Sequence, residues 1–184
     1  MSIEGTREAL VRAGVELLEE TGSPDVGLRA IARRAGVSHG APRRWFPTHR
    51  SLLAAIAGEG LADLSAALIE AAGQPPHDLA DLAEAYVEFA VRRPAMFTLV
   101  FRHDLLEGSG AELRNVSQPL FRWLVGMVDG AAGSGDPEGD AAALWVGIHG
   151  IAVLASTGSL DVATEGADRR ELIRRVVRNS LSPS

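Results

Sequence analysis

The chain has 184 residues, no cysteine and no lysine, and its 18 arginines stand against 24 carboxylates for a formal net charge of −6. Without cysteine, disulfides and thiolate metal sites are excluded, and the acidic balance argues against indiscriminate binding to polyanions. The charge is unevenly placed: residues 1–50 hold eight arginines against six carboxylates, the remainder ten against eighteen.

The opening residues lack a basic segment followed by a long apolar run, and no stretch reaches about 18 uninterrupted apolar residues. Neither a secretory signal nor a membrane span is therefore expected, and the expected location is the cytoplasm. Thr6 to Thr21 carries Ala9, Leu10, Ala13, Leu17 and Leu18 at helical spacing, and Gly22 and Pro24 end it. Leu28 to Ala35 predicts a short helix stopped by Gly36. Ser38 is placed to cap a second short helix, His39–Trp45, with Pro42 in its first turn and Pro47 closing it. Thr48 is expected to cap a long helix over residues 49–72.

After the Gly73-Gln-Pro-Pro76 break, helical patterns cover residues 77–93, 94–106, 111–132, 137–157 and 168–181. The separators "EGSG", "GAAGSGDPEG" and "TGSLDVATEG" are rich in turn-formers. No alternating strand pattern stands out. The expectation is an all-α protein of about nine helices, with an N-terminal three-helix group over residues 1–50 and a helical bundle over 51–184.

Two short helices around Gly36-Val37-Ser38 form a helix-turn-helix pattern. Between Val26 and Gly58 lie Arg29, Arg33, Arg34, Arg43, Arg44 and Arg50, with no carboxylate among them. In such motifs the second helix enters the major groove, and its first residues meet base edges. Arginine can grip guanine through two hydrogen bonds or pair with phosphate. The surface expected to meet a duplex is therefore Arg29, Ser38, His39, Gly40, Arg43, Arg44, Trp45, Thr48 and His49. Gly40 leaves room for backbone approach, and Ser38 and Thr48 sit at helix starts that favour phosphate.

The stretch "TREALVRAGVELLEETG…VGLRAIARRAGVSHGAPRRWFPTHRSLLAAI" resembles the DNA-binding domain of TetR-family transcriptional regulators. The resemblance covers about a third of the chain. It implies an all-helical homodimer with an N-terminal DNA-binding domain and a C-terminal domain that dimerises and often holds a small ligand. The chain departs from the family pattern at Arg43, where members usually carry an aromatic residue, and at His49, where they usually carry lysine; those family residues commonly touch phosphate. Further on, "YVEFAVRRPAMFTLVF" and "LWVGIHGIAVLASTG" resemble the TetR C-terminal subgroup named for its Trp, His and Gly, here Trp145, His149 and Gly150.

These resemblances lead to a sequence-specific regulator, a ligand-responsive homodimeric repressor on a near-palindromic operator, with no enzymatic activity, metal or cofactor. Phe97, Phe101, Trp123, Met127, Trp145 and His149 are the residues expected to line a site for a small apolar or amphipathic ligand, although aromatic and Met side chains in a bundle are often plain core. Gly147 and Gly150, costly inside a helix, suggest close helix packing. Two other readings are a regulator governed by a protein partner without a small ligand and, remotely, a metal-dependent phosphohydrolase using His77-Asp78 and His103-Asp104.

Overall fold

The computed structural model describes residues 3–38, 40–73, 78–109, 113–132 and 135–181. Every regular element among them is a helix: α1 (Ile3–Thr21), α2 (Leu28–Arg34), α3 (Ala41–Trp45), α4 (His49–Ala72), α5 (Leu79–Arg92), α6 (Pro94–Phe101), α7 (His103–Leu106), α8 (Arg114–Ala132), α9 (Pro137–Ser156), α10 (Ser159–Ala163) and α11 (Arg169–Leu181). The all-α expectation holds. The described residues contain eleven helices against about nine predicted. The pattern over 94–106 divides at Arg102 into α6 and α7, and α10 lies inside a separator read as turn, where Leu160 is buried.

The chain forms two compact units. The first comprises residues 1–62 and 93–113. Here α1 packs on α2, α3 and α6, and Leu10, Leu18, Ile31, Leu52, Ile56, Met96 and Leu99 are fully buried. Gly14 permits close packing: a Cβ there would run into the Ile56 side chain, with Ile31 next to it. The bare backbone of α1 is thus what lets two large core residues sit against it. Ion pairing reinforces this unit where Arg93 Nε meets Glu19 Oε1 at 2.8 Å.

The second unit comprises residues 63–92 and 114–184. In it α9 packs against α5, α8, α10 and α11. One face of α9 buries Ala141, Leu144, Ile148, Ile151 and Ala152. Across from it, Val87 of α5, Val128 of α8 and Ile173 of α11 are fully buried. Glu84 of α5 ties down α11 through Arg170 (3.2 Å) and Arg174 (3.8 Å), one turn apart.

By length and composition, α4 and α9 are apolar enough to cross a membrane. The expectation of no span rested on uninterrupted runs, and both helices reach the same hydrophobicity with isolated polar residues in between. Core helices of a helical bundle pass that test as readily as membrane helices, and α9 buries an apolar face within its own unit.

Candidate nucleic-acid interface

α2 and α3 pack on each other and on α1, which makes the helix-turn-helix a continuous part of the first unit. Gly36 takes φ +68°, a left-handed conformation that glycine adopts without penalty and that turns the chain out of α2. The second helix starts later than predicted. Gly40, not Ser38, is its N-cap, and no side chain caps it. The Ala41 N–H instead donates to the Ser38 carbonyl across a tight turn at 2.9 Å. Pro42 explains the shift: it has no N–H to give and fits the first helical turn, so the helix begins at Ala41. Pro42 and Phe46 are buried, and the Arg7 guanidinium lies 5.4 Å over the Phe46 ring.

Most of the predicted contact residues face solvent. Arg29 on α2, Arg43 and Arg44 on α3, Ser38 and Gly40 are exposed, and Trp45 is half-buried. His39 lies outside the described residues. The arginines divide into two kinds. Arg34 is turned inward to the carboxylates of α1, donating to Glu20 at 2.8 Å and to Glu16 at 3.4 Å. Its guanidinium holds the Glu20 carboxyl below the usual carboxylate range, and its own proton is held more tightly in return. Arg50 donates to the Glu107 carbonyl at 3.2 Å. Arg29, Arg33, Arg43 and Arg44 have no protein partner among the described residues. Arg33, which the contact prediction omitted, belongs with this group by exposure.

Thr48 caps α4 as expected. The Ser51 N–H donates to Thr48 Oγ1 at 3.0 Å and the Thr48 N–H to Ser51 Oγ at 3.1 Å, a reciprocal capping box. His49, the first residue of α4, is held by an unforeseen tie: its Nε2 lies 2.7 Å from the Val26 carbonyl oxygen.

The residues predicted to meet a ligand fall into both units. Phe97 and Phe101 belong to the first, with ring centroids 4.9 Å apart. Trp123, Met127, Trp145 and His149 belong to the second. There the Trp145 and His149 rings are 5.5 Å apart, and Phe121 meets Trp145 edge-on at 6.5 Å. Sequence reasoning missed Tyr86 of α5, whose hydroxyl is 2.8 Å from His149 Nδ1. Burial pushes the Tyr86 phenol well above its ordinary value, a hydrogen bond from Trp145 pulling the other way, and burial pushes His149 down. The one available signal was the presence of a lone tyrosine amid an apolar helix face.

His77 lies outside the described residues. His103 is exposed and near Glu107 (3.9 Å), and Asp104 is gripped by Arg102 through two bonds of 2.8 Å. Among the described residues no three of His, Asp and Glu converge as metal ligands.

A helix-turn-helix whose exposed arginines have no protein partner among the described residues has the make-up of a DNA-binding transcriptional regulator. Its relatives sharpen that class. Residues 10–56 match the family described as "Bacterial regulatory proteins, tetR family", and residues 79–179 match "Tetracyclin repressor-like, C-terminal domain". The second match alone spans more than half of the chain, and the chain belongs to the TetR family of regulators. Among solved structures, it is similar to a protein of unknown function from Rhodococcus sp. RHA1 at 31% identity and TM-score 0.77, covering 96% of this chain and 93% of that one. A TetR-like transcriptional regulator from the same organism shares the fold at 17% identity and TM-score 0.72, over 98% of both chains. So does the multidrug binding protein EbrR complexed with imidazole, at 20% identity and TM-score 0.63, over 95% of this chain and 94% of that one. No curated protein matches.

Proposed function

We propose that the chain is a homodimeric, ligand-responsive repressor acting in the cytoplasm on a near-palindromic operator. Residues 1–50 serve as the reading head and residues 51–184 as the ligand and dimer domain. The observation that carries the reading is the set of four exposed arginines, Arg29, Arg33, Arg43 and Arg44, without carboxylate partners on an otherwise acidic chain. Unpaired guanidinium groups beside a left-handed turn suit phosphates and base edges. Arg43 and Arg44 stand on α3, the helix that enters the groove, and Arg29 and Arg33 stand on α2, which crosses the backbone.

The outer face of α9 supports the dimer. Val146, Gly150, Val153 and Leu154 recur at three-to-four-residue spacing and are exposed, so this helix presents apolar surface on both sides. A second copy of α9 and α11 covers that face as a four-helix interface. The aromatic group Phe121, Trp145 and His149, backed by Tyr86, supports a small planar or amphipathic ligand in the second unit. Such a ligand releases DNA only by favouring the state with mis-spaced heads, and coupling of about 1–3 kcal/mol is typical.

The test is capture of bound DNA from the native host, followed by gel-shift titration of the recovered site. A two-fold-related sequence bound by a dimer supports the reading. A protein that ignores DNA at low salt overturns it.

A further inference from the structure

The reading helix α3 has little stability of its own, and the inference here rests on the proposed contact with DNA. It is five residues long, little more than one turn, and no side chain caps its start. At its end the Phe46 N–H donates to the Pro42 carbonyl at 2.7 Å, and the chain turns extended at Phe46. Two buried side chains hold it down: Pro42 in its first turn and Phe46 at its exit, four positions apart and so on one face. Arg43 and Arg44 lie between these anchors and are exposed. Where such a short helix rocks on its seat, both guanidinium groups swing with it.

The anchor at Phe46 is closed from outside by α1. The Arg7 guanidinium carbon lies 5.4 Å from the centre of the Phe46 ring. Arg7 is exposed, while the ring beneath it belongs to a residue only 4% exposed. Ala9, Leu10 and Val11 follow Arg7 on α1 and are buried, so the arginine stands on a firmly seated stretch of helix. A guanidinium suits this place, because it is drawn to the π face of the ring and still keeps N–H groups in water. We propose that Arg7 is a positioning residue for DNA reading: it clamps the exit of α3 to α1 through Phe46, and so fixes the direction in which Arg43 and Arg44 project. Hydrogen bonds to base edges form only within a narrow range of distance and angle, whereas phosphate contacts carry no sequence information. The clamp therefore serves discrimination between sequences more than attraction to DNA as such.

The test uses the tightest duplex recovered by the full-length protein from a randomised pool, beside a scrambled duplex of the same length. Wild type, R7A, R7K, F46L and R7A/F46L are compared for affinity, for salt dependence and for exchange of the Phe46 amide hydrogen. R7A is expected to bind the selected duplex about two- to thirtyfold more weakly, the range that cation–π contacts span. Its affinity for the scrambled duplex and its salt slope stay near wild type, and its Phe46 amide exchanges faster. In F46L, which removes the ring, R7A costs nothing further, because the two residues act as one unit. R7K keeps the charge without the flat fork, so its discrimination between the two duplexes falls between those of wild type and R7A. That comparison stands even where F46L does not fold. An R7A protein with wild-type discrimination overturns the inference, as does a loss that persists undiminished in F46L. So does an R7A loss equal on both duplexes with a salt slope lower by about one unit, which marks a direct phosphate contact; the DNA-reading face then stands. If wild type binds no duplex at low salt, both fall.

Discussion

Tyr86 and His149 stand 63 positions apart in sequence, yet the Tyr86 hydroxyl lies 2.8 Å from His149 Nδ1. The Tyr86 side chain is buried and His149 is half-buried. The Trp145 ring, partly exposed, lies 5.5 Å from the His149 ring. One polar bond thus joins α5 to α9 among largely apolar neighbours.

Tyr86 is resistant to ionisation. Burial disfavours the phenolate and pushes the phenol up from an ordinary value of about 10. In the unfolded chain the phenol ionises near that value, so stability from the neutral, bonded phenol is complete below about pH 10 and is lost as pH rises beyond it. The chain has a single tyrosine, so its phenolate absorbance reports on Tyr86 alone. That band is expected to emerge together with loss of helical signal, well above the titration of a free tyrosine. Ionisation at the ordinary value with helicity intact would contradict a buried phenol.

His149 titrates in the opposite sense. Burial lowers it below about 6.5, so the unfolded ring takes up a proton first as pH falls. Stability from the neutral ring is present above about pH 6.5 and is lost as pH drops through that value. The melting temperature is expected to fall on acidification, and His149→Gln, which keeps an amide to hydrogen-bond Tyr86 and carries no titrating group, flattens that part of the curve. Thermal melts of the two proteins between about pH 5 and about pH 8 decide it. A wild-type curve as flat as that of the variant counts against a neutral half-buried ring.

Much of the architecture was legible because it is local. Leu10, Leu18, Leu52 and Ile56 are core residues whose spacing alone places them on a buried helix face. Gly36 marks the turn and Thr48 the cap by conformational and hydrogen-bonding rules that act over three residues. The start of α3 was misplaced: Ser38 supplied a cap signal that pointed to His39, whereas the helix begins at Ala41 with Pro42 in its first turn. The site was less legible. That Arg34 is spent on Glu16 and Glu20 depends on α1 lying beside α2, and the ties from His49 to Val26 and from Tyr86 to His149 join segments that only folding brings together. No periodicity within one helix encodes such contacts.

The division of the arginines predicts a division of phenotypes. Arg43→Ala or Arg44→Ala is expected to weaken operator binding by about 1–3 kcal/mol where the side chain reads a base, with specificity relaxed at that position. A phosphate contact instead lowers affinity on all sequences and reduces the salt slope by about one unit. Arg34→Ala leaves the salt slope unchanged, because that guanidinium already serves Glu16 and Glu20. Titrations at several salt concentrations with cognate and scrambled duplexes separate these cases. A salt slope reduced by Arg34→Ala and untouched by both α3 variants would reverse the assignment.

The two interior glycines of α9 divide in the same way. A Cβ on Gly147 would come within 2.8 Å of Val176 Cγ1 on α11, so this glycine permits close packing inside the chain. A Cβ on Gly150 would meet nothing within 4 Å, and its neighbours on the outer face, Val146 and Val153, are 62% and 42% exposed. Gly147→Leu overpacks the α9–α11 contact and is expected to cost about 1–3 kcal/mol, a fall in melting temperature of about 2–4 °C for each kcal/mol in a chain of this size. Gly150→Leu meets no such obstacle and replaces glycine with a better helix former. It is expected to leave the fold of one chain intact while pushing a partner helix away. Sedimentation over a range of concentrations, read beside thermal melts, tests the pair: Gly147→Leu lowers stability, and Gly150→Leu shifts the population from dimer to monomer with helicity unchanged. A Gly150→Leu protein that assembles like wild type would show that the outer face of α9 is not where two copies meet.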